Sequence, residues 1–474
     1  MIGTIIKKEL SANLISFRFI LVFMLCCTLI LISAFTMRDK YEQRIAEYDA
    51  ARVIHRKELE EKDLQAALNH IALNGYKVDK PPAPLSVVVE GMEGAAGKYA
   101  SVSVISTPNL EGGAGSDPVF AYFGTLDLMY IVRVVLSLVA ILLTYDAISG
   151  EREQGTLKLS LSNSVPRYTV LLAKCVGGYI TLLLPFLVPL LIGLLILTSS
   201  GSIAFTGEDW IRLGLIGLAS LLYIGVFLML GLVVSGRTNR STTSLMLLLF
   251  IWVVAVLAVP KVSMIVASKI HSVPSAQVVQ ADKDAQSAEA LKEGTEKMYK
   301  YIGEIRQRGE GQDQNAIRAK IAELQGEITT KMTEVTRKIQ LEYEKNRTNQ
   351  FRLASNLSRL SPASVYTYAA INLARTGVDR QERFLEAASG YQPGLIQYQK
   401  ELMPKMMEIQ QKQMAGEEFE QVKMNVDDMP ALEFREATLS DSWNSAMVDF
   451  LILFLILACL FMFAYVGFVR SDIR

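Results

Sequence analysis

Residues 150–158 read GEREQGTLK and contain the residue types of a nucleotide-binding loop, with Gly150 and Gly155 five positions apart and Thr156 and Lys158 close behind. Such a loop has the spacing G-x-x-x-x-G-K-[ST]: its backbone N–H groups surround the phosphates, its lysine reaches the terminal ones and its hydroxyl ligates magnesium. Here Thr156 occupies the place of the lysine, and the apolar run IVRVVLSLVAILLTY precedes the motif where a buried strand is required. No other stretch fits better, so we predict that this chain is not itself an ATPase.

The other reactive side chains form no recognisable centre. The three histidines are not spaced as metal ligands, and each of the four cysteines falls inside an apolar run, so we expect neither a metal site nor disulfides in the polar segments. The formal net charge is zero, and nothing resembles a nucleic-acid module. A membrane enzyme is therefore the least supported class, because no nucleophile–base set or acidic pair is present.

The composition predicts membrane spans joined to soluble segments, since 51% of the 474 residues are hydrophobic and 20% are charged. Runs long enough to cross a bilayer of about 30 Å recur six times. They cover 16–36, 126–146, 169–198, 211–235, 242–262 and 446–469. We predict an all-α polytopic membrane protein with an interfacial helix at 1–15. Pro185 and Pro189 predict a kink or a re-entrant bend in the third run.

The distribution of basic residues predicts the orientation, because short cytoplasmic loops are rich in lysine and arginine. The short loop SSGSIAFTGEDW has two acids and no base, whereas every short basic segment lies on the other side. Both termini, the connection at 147–168 and the tail at 470–474 are then cytoplasmic. The basic N-terminus is followed by an apolar run too long for a signal peptide, which indicates a retained anchor.

This topology makes two long segments, 37–125 and 263–445, extracytoplasmic. The first begins with a predicted helix that continues the first span until PPAP at 81–84 breaks it. The runs LSVVVEG and KYASVSVIS that follow predict a small β-hairpin.

The second long segment predicts a helical hairpin. One helix carries apolar residues three or four positions apart, at Ile317, Ile321, Leu324, Ile328, Met332, Val335 and Ile339. An upstream helix is indicated by Leu291, Met298, Ile302 and Ile305, with a turn at RQRGEGQDQ between the two. We favour packing of these helices within the chain, with an intermolecular coiled coil as the alternative.

Two stretches resemble a known family. The N-terminal MIGTIIKKELSANLISFRF has basic and apolar residues at helical spacing before the first span, as in a helix at the inner membrane interface. The stretch YDAISGEREQGTLKLSLSNSVPRYTVLLAK carries an SGERExGT pattern, and its match to the family runs from Asp146 to Lys174. Together they resemble the type-2 permeases of ATP-binding-cassette (ABC) transporters, in the subset with large extracytoplasmic insertions. The stretch at 357–387 is also similar to that subset, and Ser361-Pro362 there predicts an amphipathic helix on the membrane or on the spans.

The resemblance implies that 147–168 contains a coupling helix that docks onto a separate ATPase subunit. Charged hydrogen bonds at the membrane edge would come from Glu151, Arg152 and Glu153. Gly155 allows a sharp change of direction, and Thr156 is suited to cap a helix that starts there. The alternative is an ordinary polar loop between two spans.

The resemblance also implies the partners and the mechanism. Two copies of an ABC ATPase would bind ATP and magnesium, whereas this chain would bind no cofactor. A second permease subunit, identical or related, would complete the pathway, in a bacterial cytoplasmic (inner) membrane. The complex would drive export or mechanical work outside the cytoplasm. The alternative function is a membrane-anchored scaffold or signalling protein whose hairpin binds an extracytoplasmic partner without transport.

Charged residues inside the spans are the remaining candidates for function. Arg133 lies about two turns into the second span, and Asp127 precedes it by six residues. We consider Arg133 and Asp127 as substrate-contacting or gating residues. The alternative is that the side chain of Arg133 only extends to the outer membrane interface. For Asp449 we favour an interface role.

Overall fold

The computed structural model describes residues 2–103, 108–113, 125–156, 166–199, 201–308, 314–415 and 423–470. Six helical stretches are long and apolar enough to cross a membrane: Phe17–Glu60, Leu128–Glu153, Arg167–Thr198, Gly207–Arg237, Ser241–Ile270 and Leu439–Phe468. They correspond to the six predicted runs, and the all-α polytopic fold is confirmed. We call the side with the N-terminal helix proximal and the side with the two long polar segments distal.

The chain begins with helix α1 (Ile2–Leu14), which packs against the third span. Helix α2 (Phe17–Glu60) contains the first span and extends well beyond it, because 44 residues at 1.5 Å each are longer than a membrane is thick. The predicted continuation of the first span is therefore present. It ends earlier than expected, before PPAP, because Asp63 caps a separate helix α3 (Leu64–Asn74) through the backbone N–H of Ala66.

A three-stranded antiparallel sheet follows, with strands β1 (Tyr76–Asp79), β2 (Tyr99–Val102) and β3 (Asn109–Glu111). The predicted hairpin between LSVVVEG and KYASVSVIS is wrong, because β2 pairs with β1 and β3 instead. The LSVV run starts in a 3-10 helix (Pro84–Val87). Its consecutive apolar side chains are buried without the alternation of a strand, since they belong to the core around α2.

The second span changes its helical form along its length. A helical turn (Leu128–Tyr130) leads into a π-helical segment (Ile131–Leu136) and then into helix α4 (Ser137–Thr144). After a turn, the short helix α5 (Ser149–Glu153) lies on the proximal side.

The third span, α6 (Arg167–Thr198), continues through both prolines, so the predicted re-entrant bend does not occur there. Loss of a backbone hydrogen bond at proline is tolerated in membrane helices where neighbouring helices compensate, and both prolines are buried. The fourth span, α7 (Gly207–Arg237), lies at the centre and packs against the second, third, fifth and sixth spans. The fifth span combines α8 (Ser241–Trp252), a π-helical segment (Val253–Ala258) and α9 (Val259–Ile270).

Two long helices, α10 (Ala276–Arg308) and α11 (Gln314–Ser358), pack together as the helical hairpin that the sequence predicts. Their connection at 309–313 lies outside the described residues. The apolar residues predicted on α11 are all partly buried. On α10 the prediction holds in part, because Met298 and Ile305 are partly buried, whereas Leu291 and Ile302 are exposed and Ala290 is buried instead.

Helix α12 (Pro362–Ala374) begins within the membrane region and runs back toward the distal side. Ser361, before its first turn, donates a hydrogen bond to the carbonyl of Ala255, which lies in the middle of the fifth span. The carbonyl of Leu373, at its other end, accepts one from Arg212 near the distal end of the fourth span. The end of α11 and all of α12 therefore form a re-entrant pair packed on the spans, one of the two locations predicted for this helix.

The remaining helices are α13 (Val378–Ala415) and α14 (Leu439–Arg470), which contains the sixth span. Both long polar segments contribute to one distal core. It combines α3, β1 and β2 with residues of α13 such as Phe384 and Leu395, and with Val426. We call this unit the distal domain.

Buried arginines attach the distal domain and the fourth span to the segment that leads into the sixth span. Arg380 of α13 is buried and donates to Glu93 (2.8 Å) and Glu436 (2.5 Å). At the distal end of the fourth span, Arg212 donates to the carbonyl of Ala437 (2.8 Å) and to Ser442 Oγ (2.6 Å). These bonds fix the distal domain against the start of the sixth span.

Candidate functional site

The short helix α5 contains the SGERE residues and is fixed at its start by a buried serine. Ser235 Oγ of the fourth span accepts hydrogen bonds from the backbone N–H groups of Ile148 and Ser149, both at 3.0 Å. The beginning of α5 is thus bonded directly to the proximal end of the central helix α7.

Two charged residues of α5 bind the ends of neighbouring spans. Arg152 donates to the carbonyls of Gly236 and Thr238 (3.1 Å each), at the end of α7 where helix carbonyls lack intrahelical partners. Glu153 accepts from the backbone N–H (3.2 Å) and hydroxyl (2.9 Å) of Ser241, the first residue of α8. The two side chains therefore connect the second span to the fourth and the fifth.

The third charged residue, Glu151, is paired with a lysine that is not among the predicted site residues. Lys174 of α6 has a side chain only 4% exposed, and its Nζ lies 2.7 Å from Glu151 and 3.1 Å from Glu9 of α1. A buried ammonium group requires such partners. The signal in the sequence is a lysine one-quarter of the way into an apolar span, which needs a carboxylate from elsewhere.

A second ion pair lies beside this one. Arg18, at the start of α2, donates to Asp146 at 2.6 Å and lies 5.4 Å from the centre of the Tyr145 ring. Through Glu9 and Arg18, both N-terminal helices are attached to the segment around α5.

The chain turns sharply after α5. Gly155 has φ 73°, a conformation that favours glycine, and a Cβ added there would meet none of the described residues within 4 Å. Thr156 donates from Oγ to the carbonyl of Glu151 (3.2 Å), and residues 154–156 are exposed. Residues 157–165 lie outside the described residues. The helix that Thr156 is predicted to cap would start there, so this prediction also lies outside them. We call residues 154–156 the proximal corner.

Comparison with known proteins decides the family. A profile described as ABC-2 family transporter protein matches residues 3–473. The chain belongs to this family. It is also similar to the probable ABC transporter permease protein NosY of Stutzerimonas stutzeri, with 35% identity over 123 residues. That match covers 26% of this chain and 45% of the relative, so the chain spans less than half of the relative's length. The protein is thus a membrane subunit of an ABC transporter, as its resemblance implied.

In this ABC-2 protein the two residues predicted inside the second span have separate surroundings. Asp127 is buried and accepts hydrogen bonds from the backbone N–H groups of Tyr130 (2.8 Å) and Glu90 (3.0 Å). It therefore caps the second span and ties the first polar segment to it. Arg133 is partly exposed and lies 5.7 Å from the centre of the Tyr130 ring. Among the described residues, no carboxylate lies within salt-bridge distance of Arg133, so Asp127 and Arg133 are not an ion pair.

Asp449 does not have the interface role we favoured. It is fully buried, and its Oδ1 accepts from Arg359 Nε at 2.7 Å. Arg359 lies in the turn between α11 and α12, so the ion pair anchors the re-entrant pair to the sixth span. The sequence could not show this, because the two residues are 90 positions apart.

Proposed function

We propose that this chain transmits the motion of a separate ABC ATPase to the membrane, and that the proximal corner receives it. The observation that carries this proposal is the contrast between the corner and α5. The charged side chains of α5 are engaged within the chain, whereas residues 154–156 are exposed on the side that carries most of the short basic loops. The corner is therefore available to a partner while it remains firmly attached to the spans.

The mechanism follows from those attachments. ATP and magnesium bind to the partner, and closure of two ATPase subunits displaces the corner. The displacement passes through Arg152 to the fourth span, through Glu153 to the fifth, and through Glu151 and Lys174 to the third span and α1. Because one short helix bonds to all of these, they move together, and the spans reorient toward export.

A complete transporter needs a second permease subunit, either identical or related. The fifth span supports this arrangement, because only 17% of its most apolar stretch is buried within the chain. Its remaining apolar surface is available to a second subunit. The positive-inside pattern supports a cytoplasmic proximal side and a distal domain outside the cytoplasm, in a bacterial inner membrane.

The scaffold alternative rests on the hairpin of α10 and α11, which extends from the fifth span and is largely polar. Its root is bonded to the fifth span through Ser361 and to the sixth through Arg359. These bonds favour a hairpin that moves with the spans over one that binds a partner passively.

Purification from native membranes tests the proposal. We expect an ABC ATPase to copurify with the chain and the pair to hydrolyse ATP, whereas the isolated chain hydrolyses none. Deletion of 276–355 is the discriminating variant: a transporter retains its ATPase, while a passive scaffold loses its partner. Hydrolysis of ATP by the isolated chain, or a stable chain that never associates with an ATPase, contradicts the proposal.

A further inference from the structure

Arg133 is a charged group without an ionic partner in the described part of the chain. It lies five residues after Leu128, the first helical residue of the second span, which corresponds to about 8 Å of depth at 1.5 Å per residue. Its Nε is buried and has no hydrogen-bond partner among the residues that the structure describes. A cation at such a depth is costly and is usually matched by an anion or by water in a cavity.

The nearest candidate partner in sequence is already occupied. Asp127 is close enough to interact electrostatically with Arg133, but its two oxygens accept backbone N–H groups and it is almost fully buried. It therefore reduces the cost of the cation without saturating its hydrogen-bond donors. The guanidinium retains donors for a group from outside the described chain.

The backbone around Arg133 is fixed in an uncommon form. The residue belongs to the π-helical segment Ile131–Leu136, and its carbonyl accepts from Tyr223 Oη (2.7 Å) and Ser137 Oγ (2.6 Å). Ser137 Oγ also accepts from the Trp252 indole of the fifth span at 2.9 Å. Single π-helical turns in longer helices often mark functional sites. Here the backbone of Arg133 is bonded to the fourth span, and Ser137 connects the turn to the fifth, while the Arg133 side chain is partly exposed.

From this arrangement we infer that Arg133 binds a phosphate-type oxyanion in the distal half of the membrane. The planar guanidinium pairs with phosphate through two parallel hydrogen bonds, and the Tyr130 ring supports its face. The phosphate belongs either to a phospholipid headgroup or to a phosphorylated water-soluble molecule. The inference rests on the proposed permease function and assigns the chemical class of what the membrane part contacts.

Binding to the purified full-length complex tests this inference with two probes, phosphatidylglycerol and glycerol 3-phosphate. Native mass spectrometry measures the first, and the shift in thermal unfolding midpoint measures both. We expect Arg133→Gln to weaken binding of one probe about tenfold, as for loss of a charge-assisted bidentate contact, and Arg133→Lys to weaken it less. The matched control is Arg38→Gln at the distal end of the first span, where the arginine pairs with Glu42 (3.1 Å) within the chain. This control should bind as the wild type does.

The outcomes are distinct. Loss of phosphatidylglycerol binding identifies a lipid headgroup, and loss of glycerol 3-phosphate binding identifies a soluble source; either supports the inference. Wild-type binding of both probes by Arg133→Gln overturns it. If that variant does not fold, equal binding by Arg133→Lys and wild type overturns it as well. Neither measurement needs ATP hydrolysis, so failure of the permease proposal appears separately as a missing ATPase.

Discussion

The backbone conformation of the proximal corner depends on the glycine at position 155. A Cβ added there meets no atom of the described residues, so the cost considered for substitution is the left-handed backbone, about 1–2 kcal/mol for most residues. We predict that Gly155→Ala lowers ATP hydrolysis by the assembled complex severalfold while membrane insertion is unchanged. Gly155→Asn is the matched control, because asparagine tolerates this conformation, and it should stay near wild type. Equal activity of all three forms would show that the corner's shape is irrelevant.

Glu151 and Lys174 form the residue pair whose removal most directly tests the attachment of α5. Removing one partner of a buried ion pair costs about 3–5 kcal/mol, and we expect less here because Glu151 is partly exposed and Glu9 remains. We predict that Glu151→Lys lowers the thermal unfolding midpoint more than Glu151→Gln does, since it adds a second cation beside Lys174. The decreases in unfolding midpoint caused by Glu151→Gln and by Lys174→Met should add up to more than the decrease in the double variant. Additive effects would mean that the two residues do not interact.

This pair also shows which features of α5 are encoded locally in the sequence. The SGERE motif is predictable from sequence, because all of its residues are consecutive. Its hydrogen bonds are not predictable, because Lys174, Ser235 and Ser241 come from other spans and only the tertiary structure brings them to α5. The charges interpreted as contacts for an ATPase are used mainly within the chain.

At the scale of elements, the spans were predictable because apolar length is a local property. The 3-10 helix in place of a strand and the re-entrant pair were not, because both depend on burial by distant parts of the chain. Pro185 and Pro189 illustrate the same limit. Proline predicts a disturbed helix, yet packing by neighbouring spans keeps α6 continuous.

The helical hairpin offers a test at this scale. A Cβ added at Gly294 of α10 would clash with the side chain of Ile328 on α11, so the two helices approach closely there. We predict that Gly294→Val increases hydrogen exchange along both helices, and that adding Ile328→Ala restores protection. Gly303→Val on the same helix is the control, because none of the described residues lies within 4 Å of its added Cβ. Similar exchange in the Gly294 and Gly303 variants would contradict this packing.

At the scale of the whole molecule, the distal domain has a built-in pH dependence. His70 Nε2 lies 3.2 Å from Glu58, and its Nδ1 accepts from Lys62 (3.2 Å) and Asn74 (3.1 Å). Burial, and next the charge of Lys62, lower the pKa of His70 below its ordinary value of 6.5. As pH falls through 6.5, the unfolded chain therefore takes up a proton before the folded domain does, and stability decreases.

We predict lower protection factors for α3 amides at about pH 5.5 than at about pH 7.5, because histidine is the side chain that titrates in this range. His70→Gln should reduce the difference. Asp79 acts in the opposite direction in more acidic solution, since burial raises its pKa from 3.8. A pH dependence that is identical in wild type and His70→Gln would assign the effect to other groups.

The whole account depends on an ATPase partner that contacts the proximal corner, and one crosslinking measurement tests this most directly. Gln154→Cys places a thiol on the corner, whereas all four native cysteines lie within the spans. We predict that a bifunctional maleimide links this thiol to a copurified ABC ATPase, with a yield that changes when ATP is added. A thiol at residue 154 that reacts only from outside the cell, or that never links to an ATPase, would contradict the account.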